Sequence, residues 1–166
     1  MVRVLLIRHA PAFDRDRKRW PDDRQRPLTP EGIVKFRRAA AGLKRLTDPI
    51  ERVLVSPLTR ARETADVLAK VCGWPPAVLA PELAPEGTPA QVLKLIRAQT
   101  SAHLALVGHE PNLAELLSVS VAGVGVALSC ELKKGGAACL IFAAEARPGR
   151  GCLEWLLTPK ALRAIR

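Results

Sequence analysis

The sequence predicts an α/β fold: one domain over residues 1–166, with a mixed, mostly parallel central sheet flanked by helices. Three observations predict it. The run Val2-Arg3-Val4-Leu5-Leu6-Ile7 is apolar, mostly branched and only weakly alternating, as in a strand covered on both faces. Two later apolar runs, Arg52–Val55 and His103–Val107, each pass into a helix-start signal. Segments of helical period separate these runs, and two short strand-like runs close the chain as an antiparallel hairpin.

The elements follow in order. The leading strand ends in Arg8-His9. Residues 11–27 are rich in charge of both signs with no sustained apolar period, which predicts a loop anchored by Trp20. Thr29-Pro30-Glu31-Gly32 opens a helix, with Thr29 as cap and Pro30 in the first turn. Ile33, Phe36, Ala40 and Leu43 recur on one face of it, facing the sheet. After Arg52–Val55, Ser56 is a natural cap and Pro57 a natural first helical residue, so a helix is expected from Pro57 to about Val71 with Arg60 in its first turn. Ala61, Ala65, Leu68 and Ala69 should face the sheet. Gly73 and Pro75-Pro76 end that helix, residues 77–79 suit a short strand, and 81–87 a loop. A helix from about Pro89 to Gln99 precedes His103–Val107. Another runs from about Pro111 to Val119, with Leu113, Leu116 and Leu117 as core residues. Residues 121–128 are ambiguous, and Ala137–Ala143 and Cys152–Leu157 read as the hairpin strands.

Composition narrows the function classes. A chain of 166 residues, 48% of them hydrophobic, suits one domain with an ordinary core. The apolar runs are far short of a bilayer span and the N-terminus reads as a strand rather than a signal peptide, so no membrane is expected and the cytoplasm is the expected location. Cys72, Cys130, Cys139 and Cys152 have neither metal-type nor redox spacing and are expected as reduced thiols. The three histidines are far apart with no carboxylates clustered near them, so no metal is expected. The formal charge of +10 raises a nucleic-acid reading. Its spread over several helices and the absence of tyrosine argue against one. An anionic substrate or acidic partner fits that surface better.

Three strand ends thus carry Arg8, His9, Arg60 and His109, and two of them lead into helix N-termini, which favour anions. Ligands of parallel sheets bind just beyond the carboxyl ends of the strands. Two arginines and two histidines converging there describe a phosphate site.

The chain resembles the histidine phosphatase superfamily, and within it the short bacterial branch of SixA-type phosphohistidine phosphatases. The residues that carry the resemblance are Arg8-His9-Ala10, Arg26-Pro27-Leu28-Thr29 with Gly32, Ser56-Pro57 with Arg60-Ala61 and Thr64-Ala65, and Gly108-His109. Leu132-Lys133-Lys134-Gly135 and Trp155-Leu156-Leu157-Thr158-Pro159 are also similar to that branch. Two departures stand out: Ala10 replaces a usual glycine, which requires a negative φ there, and Glu63 replaces a common glutamine.

The resemblance implies a phosphoglycerate-mutase-like fold, no cofactor, and a phosphatase acting through a covalent phosphohistidine. His9 would be the nucleophile, Arg8 and Arg60 the clamp on the phosphoryl oxygens, and His109 a hydrogen-bond donor to the same oxygens. Arg26, which precedes Pro-Leu-Thr as in the family, is a further substrate-binding candidate. Glu82 and Glu86 lie in a loop where the family often places an acid and are candidate proton donors; both also read as solvated loop carboxylates. The expected substrate is phosphohistidine on a protein, in a signalling role. Two alternatives stay open: a phosphatase or mutase of small phosphoesters, and a non-catalytic phosphoprotein- or nucleic-acid-binding domain.

Overall fold

A computed structural model of the chain describes residues 1–165. Six strands form one sheet: β1 (Val2–Arg8), β2 (Arg52–Val55), β3 (Val78–Leu79), β4 (His103–Gly108), β5 (Ala137–Phe142) and β6 (Gly151–Leu157). Their order is β3-β2-β4-β1-β5-β6. The pairs β2–β3, β2–β4 and β1–β4 are parallel, while β1–β5 and β5–β6 are antiparallel. The helices are α1 (Pro30–Leu46), α2 (Thr59–Cys72), α3 (Pro89–Arg97), α4 (Asn112–Ala122) and α5 (Pro159–Ala164), with 3-10 turns at Asp23–Gln25 and Pro81–Leu83.

The weak alternation of β1 has its cause in a three-layer arrangement. Leu5 and Ile7 pack against residues of α1, α2 and α5, whereas Val4 and Leu6 pack against residues of α3 and α4. All four are completely buried, so both faces of the strand must be apolar.

The caps behave largely as their residues dictate. Thr29 Oγ1 accepts from Gly32 N at 2.9 Å to start α1, and Gly73, at φ 73°, ends α2 in the left-handed conformation that glycine adopts without strain. Gly32 has a second constraint: a Cβ there would lie 2.2 Å from the Pro11 carbonyl oxygen. The start of α1 is therefore pressed directly onto the loop that follows His9.

Two elements differ from expectation. Helix α2 begins at Thr59 rather than Pro57; Leu58 takes the capping position and makes no side-chain cap bond. Ser56 is fully buried, and its hydroxyl is shared between the local Leu58 N–H, at 3.3 Å, and a histidine at the end of β4, at 2.9 Å. On the same helix Val67 is buried while Ala69 is only half-buried. The second difference is α5, which the sequence reading did not anticipate, although Thr158-Pro159 starts it as Thr29-Pro30 starts α1. At six residues it is too short to carry a periodic signal of its own.

Among the described residues no helix is long and apolar enough to cross a membrane. The four cysteines are free, Cys72 and Cys139 buried and Cys152 exposed.

Candidate active site

Register places the site. In the parallel pair β1–β4, Arg8 is opposite Gly108, so His9 and His109 leave their strands side by side. The His9 N–H donates to the Gly108 carbonyl at 3.0 Å, and the two imidazole centroids lie 5.0 Å apart. On the other side of β4, β2 delivers Ser56, whose N–H donates to the Val107 carbonyl at 3.0 Å. Helix α2 then presents Arg60 one turn on. The four residues singled out from the sequence therefore line one cavity of about 310 Å³ at the carboxyl edge of the sheet.

Each side chain is held. His9 Nδ1 donates to the Ala10 carbonyl at 2.7 Å; a carbonyl only accepts, so Nδ1 carries the proton and Nε2 keeps its lone pair. Ala10 N donates to Thr64 Oγ1 at 3.0 Å, and Thr64 Oγ1 donates to the Arg60 carbonyl at 2.7 Å, which ties the loop after His9 to the first turn of α2. No non-glycine residue among those described has a positive φ, so Ala10 is accommodated where a glycine was expected.

His109 Nε2 lies 2.9 Å from Ser56 Oγ. That hydroxyl also accepts from Leu58 N at 3.3 Å. With Ser56 fully buried, its own proton needs an acceptor, and His109 Nε2 is the one within reach. The His109 ring proton then sits on Nδ1, which is buried without a hydrogen-bond partner. That N–H is left unused by the protein.

Each arginine is anchored by protein partners and keeps a nitrogen without one. Arg8 Nη1 donates to the Leu132 carbonyl at 2.7 Å. Arg60, only 3% exposed, donates from Nη1 to the Asp23 carbonyl at 2.9 Å and pairs through Nη2 with the Asp23 carboxylate at 3.3 Å. The Nε of each is buried without a partner. Arg26 also lines the cavity, but its guanidinium is bound to the Asp23 carboxylate at 2.7 Å and the Phe13 carbonyl at 2.6 Å. The Arg26 hydrogen bond, opposed by desolvation and reinforced by the Arg60 charge, holds the Asp23 carboxyl below its ordinary value.

Glu82 and Glu86 are not in this cavity. They line a neighbouring depression with Pro81, Ala84 and Arg24, where Arg24 approaches Glu86 at 3.5 Å. The cavity's own carboxylates are Asp14, exposed at its edge, and Glu110. Asp23 was not singled out from the sequence either, and Lys134 only as part of the resemblance, with no role assigned. Asp23 lies in a charged run without periodicity, where no local signal separates it from its neighbours. Lys134 lines the cavity and adds positive potential beside His9.

Burial makes both histidines poor bases. Desolvation lowers His9 to about 3, against the bond to Ala10, and the Arg60, Arg8 and Lys134 charges act in the same downward direction. Desolvation likewise lowers His109 to about 2, helped by His9 and the arginines. Both are therefore neutral near pH 7. Unfolded histidine titrates at about 6.5, so below that pH the unfolded chain binds more protons than the folded one. Their contribution to stability is complete above pH ~6.5 and is lost as pH falls towards the folded values. NMR of the ring resonances should show His9 and His109 in neutral form from pH 8 down to about 5; a midpoint near 6.5 for either would contradict the burial argument.

The histidine phosphatase superfamily (branch 1) has a family model that matches residues 4–84, the segment holding Arg8, His9, Arg26 and Arg60. The phosphohistidine phosphatase SixA of Escherichia coli (strain K12) is 34% identical over 119 residues, covering 65% of this chain and 71% of that protein. An uncharacterized protein of Picosynechococcus sp. is 36% identical over 117 residues, covering 69% of this chain and 70% of its own length. The structure of the protein histidine phosphatase SixA complexed with tungstate superposes with a TM-score of 0.84 at 28% identity, covering 97% of this chain and 99% of that one.

Proposed function

This chain belongs to the histidine phosphatase superfamily, and on that premise we propose that it is a cytoplasmic phosphatase that removes phosphate from phosphohistidine on a signalling protein. The observation that carries the reading is the state of His9: its Nδ1–H is held by the Ala10 carbonyl, leaving a neutral ring with an unprotonated Nε2 in a cavity shared with Arg8, Arg60 and His109.

The chemistry follows in two transfers. His9 Nε2 attacks phosphorus in line as the bond to the substrate's imidazole nitrogen breaks. Arg8 and Arg60 hold the equatorial oxygens with the N–H groups their protein partners leave free, and His109 Nδ1–H donates to the same oxygens. Water then attacks the phosphorus on His9 and releases inorganic phosphate. The arginines supply the positive charge that the phosphoryl oxygens need, so the scheme includes no metal or cofactor.

The leaving group supports phosphohistidine over small phosphoesters. An alkoxide leaves poorly unless an acid protonates it during cleavage, whereas a phosphorylated imidazole that carries a proton on its other ring nitrogen leaves as neutral imidazole, whose conjugate acid has a pKa of about 6.5. Of the carboxylates around the His9 cavity, Asp14 is exposed at its edge, Glu110 commits both oxygens to backbone N–H groups, and Glu82 and Glu86 lie in the adjacent depression. The test compares kcat/KM for a phosphohistidine protein and for phosphoglycerate, each with and without EDTA, in the wild type and in Glu82→Gln and Glu86→Gln. Phosphohistidine should be strongly preferred, with neither substitution nor chelator reducing its turnover. If phosphoglycerate is the better substrate and either substitution selectively destroys its turnover, the chain is a small-phosphoester phosphatase or mutase. Activity lost to EDTA and restored by a divalent ion would overturn the metal-free scheme.

A further inference from the structure

We infer that Glu110 is a positioning residue for Arg8, acting through the backbone of Leu132. Glu110 directly follows His109 and lines the cavity, yet it is not available to a substrate. Its Oε2 accepts from Ala114 N at 3.1 Å, which fixes the carboxylate to the first turn of α4. Its Oε1 accepts from Leu132 N at 2.7 Å. The carbonyl of that same Leu132 accepts from Arg8 Nη1 at 2.7 Å. One carboxylate thus connects the helix after His109 to the group that sets the orientation of Arg8.

The link matters because of where Leu132 lies. Residues 123–136 form no helix or strand, so no ladder of backbone bonds dictates where the Leu132 carbonyl sits. Its side chain is buried and its N–H is bound to a carboxylate, a stronger tie than a neutral acceptor provides. Glu131 is the other acid near Arg8, but it lies 3.8 Å away, is exposed, and is engaged by Lys133 Nζ at 2.5 Å. Solvent screens that pair and two long side chains must be ordered to keep it. The orientation of Arg8 therefore depends on Leu132, and that of Leu132 on Glu110.

This inference rests on the proposed role of Arg8 in holding the phosphoryl oxygens, and a double-mutant cycle separates the two. Glu110→Gln is nearly isosteric but offers one acceptor oxygen to two N–H donors, so it cannot hold Ala114 and Leu132 together. Glu110→Asp, one methylene shorter, provides a second variant with the charge retained. In the wild-type background, Glu110→Gln should lower kcat/KM for an aryl phosphate and the affinity for tungstate about tenfold, the scale of a misplaced clamp. In an Arg8→Lys background the same substitution should cost less than about twofold, because the group it positions is already changed. The Arg8 Nε–Hε resonance should shift in Glu110→Gln and Glu110→Asp. No loss in the wild-type background, equal losses in both backgrounds, or an unmoved Arg8 resonance would each overturn the inference. If Arg8→Lys alone leaves turnover and tungstate binding intact, the role of Arg8 fails first and takes this inference with it.

Discussion

His9→Ala is expected to reduce turnover of a phosphohistidine protein by about 10⁴-fold or more, the scale seen when a covalent nucleophile is removed. Tungstate or vanadate should still bind. The separation follows from the site's construction. Arg8 is anchored to Leu132, Arg60 to Asp23 and His109 to Ser56, and none of these anchors passes through the His9 side chain. The side chain's own hydrogen bond goes to the next residue's carbonyl, so its loss leaves the oxyanion groups in place. The wild-type enzyme quenched during turnover should carry an acid-labile, base-stable phosphate on His9 and none on His109, whose Nε2 is occupied by the Ser56 hydroxyl. Near-normal turnover by His9→Ala, or label on His109, would remove His9 as nucleophile. A wild-type chain that binds the phosphoprotein without turning it over would leave the non-catalytic binding reading standing.

Two different kinds of signal made the fold and the site legible. Strand β1 could be read because burial on both faces forces an apolar run, and the abrupt change at Arg8-His9 marks where it meets the cavity. Arg60 and His109 could be read because each follows another such run near a proline or capping residue. Parallel register then brings these ends together without any further information from the side chains. What the sequence hides is long-range pairing. Ser56 reads as a helix cap, and nothing local shows that β4 places a histidine within 2.9 Å of its hydroxyl. Arg26 reads as a residue reaching for substrate, and nothing in the charged run identifies Asp23 as its partner. Asp23 is instead the centre of that loop, engaging Arg26 and Arg60 from one short 3-10 turn. Glu82 and Glu86 could be placed in the loop between β3 and α3 but not in a cavity, because the 3-10 turn at Pro81–Leu83 decides which depression they line.

Arg60→Ala should lower kcat/KM about 10²- to 10³-fold, the effect of losing one preorganised donor to a developing oxyanion, with little change in Tm. The second half of this expectation decides between two roles for the residue. Arg60 holds the loop at Asp23 as well as facing the cavity, so a structural role would predict unfolding of residues 13–26. Three features argue against that outcome. Asp23 keeps its 2.7 Å bond from Arg26, so its carboxylate is not orphaned. Asp23 is also exposed enough for water to replace the Arg60 contact, its side chain being 42% accessible. Arg60 itself is a buried cation whose pKa is lowered by desolvation, so removing it relieves a cost as well as breaking a bond. The proposed clamp has no such replacement, because water cannot supply a fixed cation at the phosphoryl oxygens. Arg60→Lys should restore charge but little activity, since an ammonium cannot hold Asp23 and two phosphoryl oxygens in one plane. The measurement is kcat/KM together with tungstate affinity and thermal unfolding for both variants. A fall in Tm that accounts for the lost activity would make Arg60 a loop anchor, and full activity in Arg60→Lys would reduce its part in the clamp to charge alone.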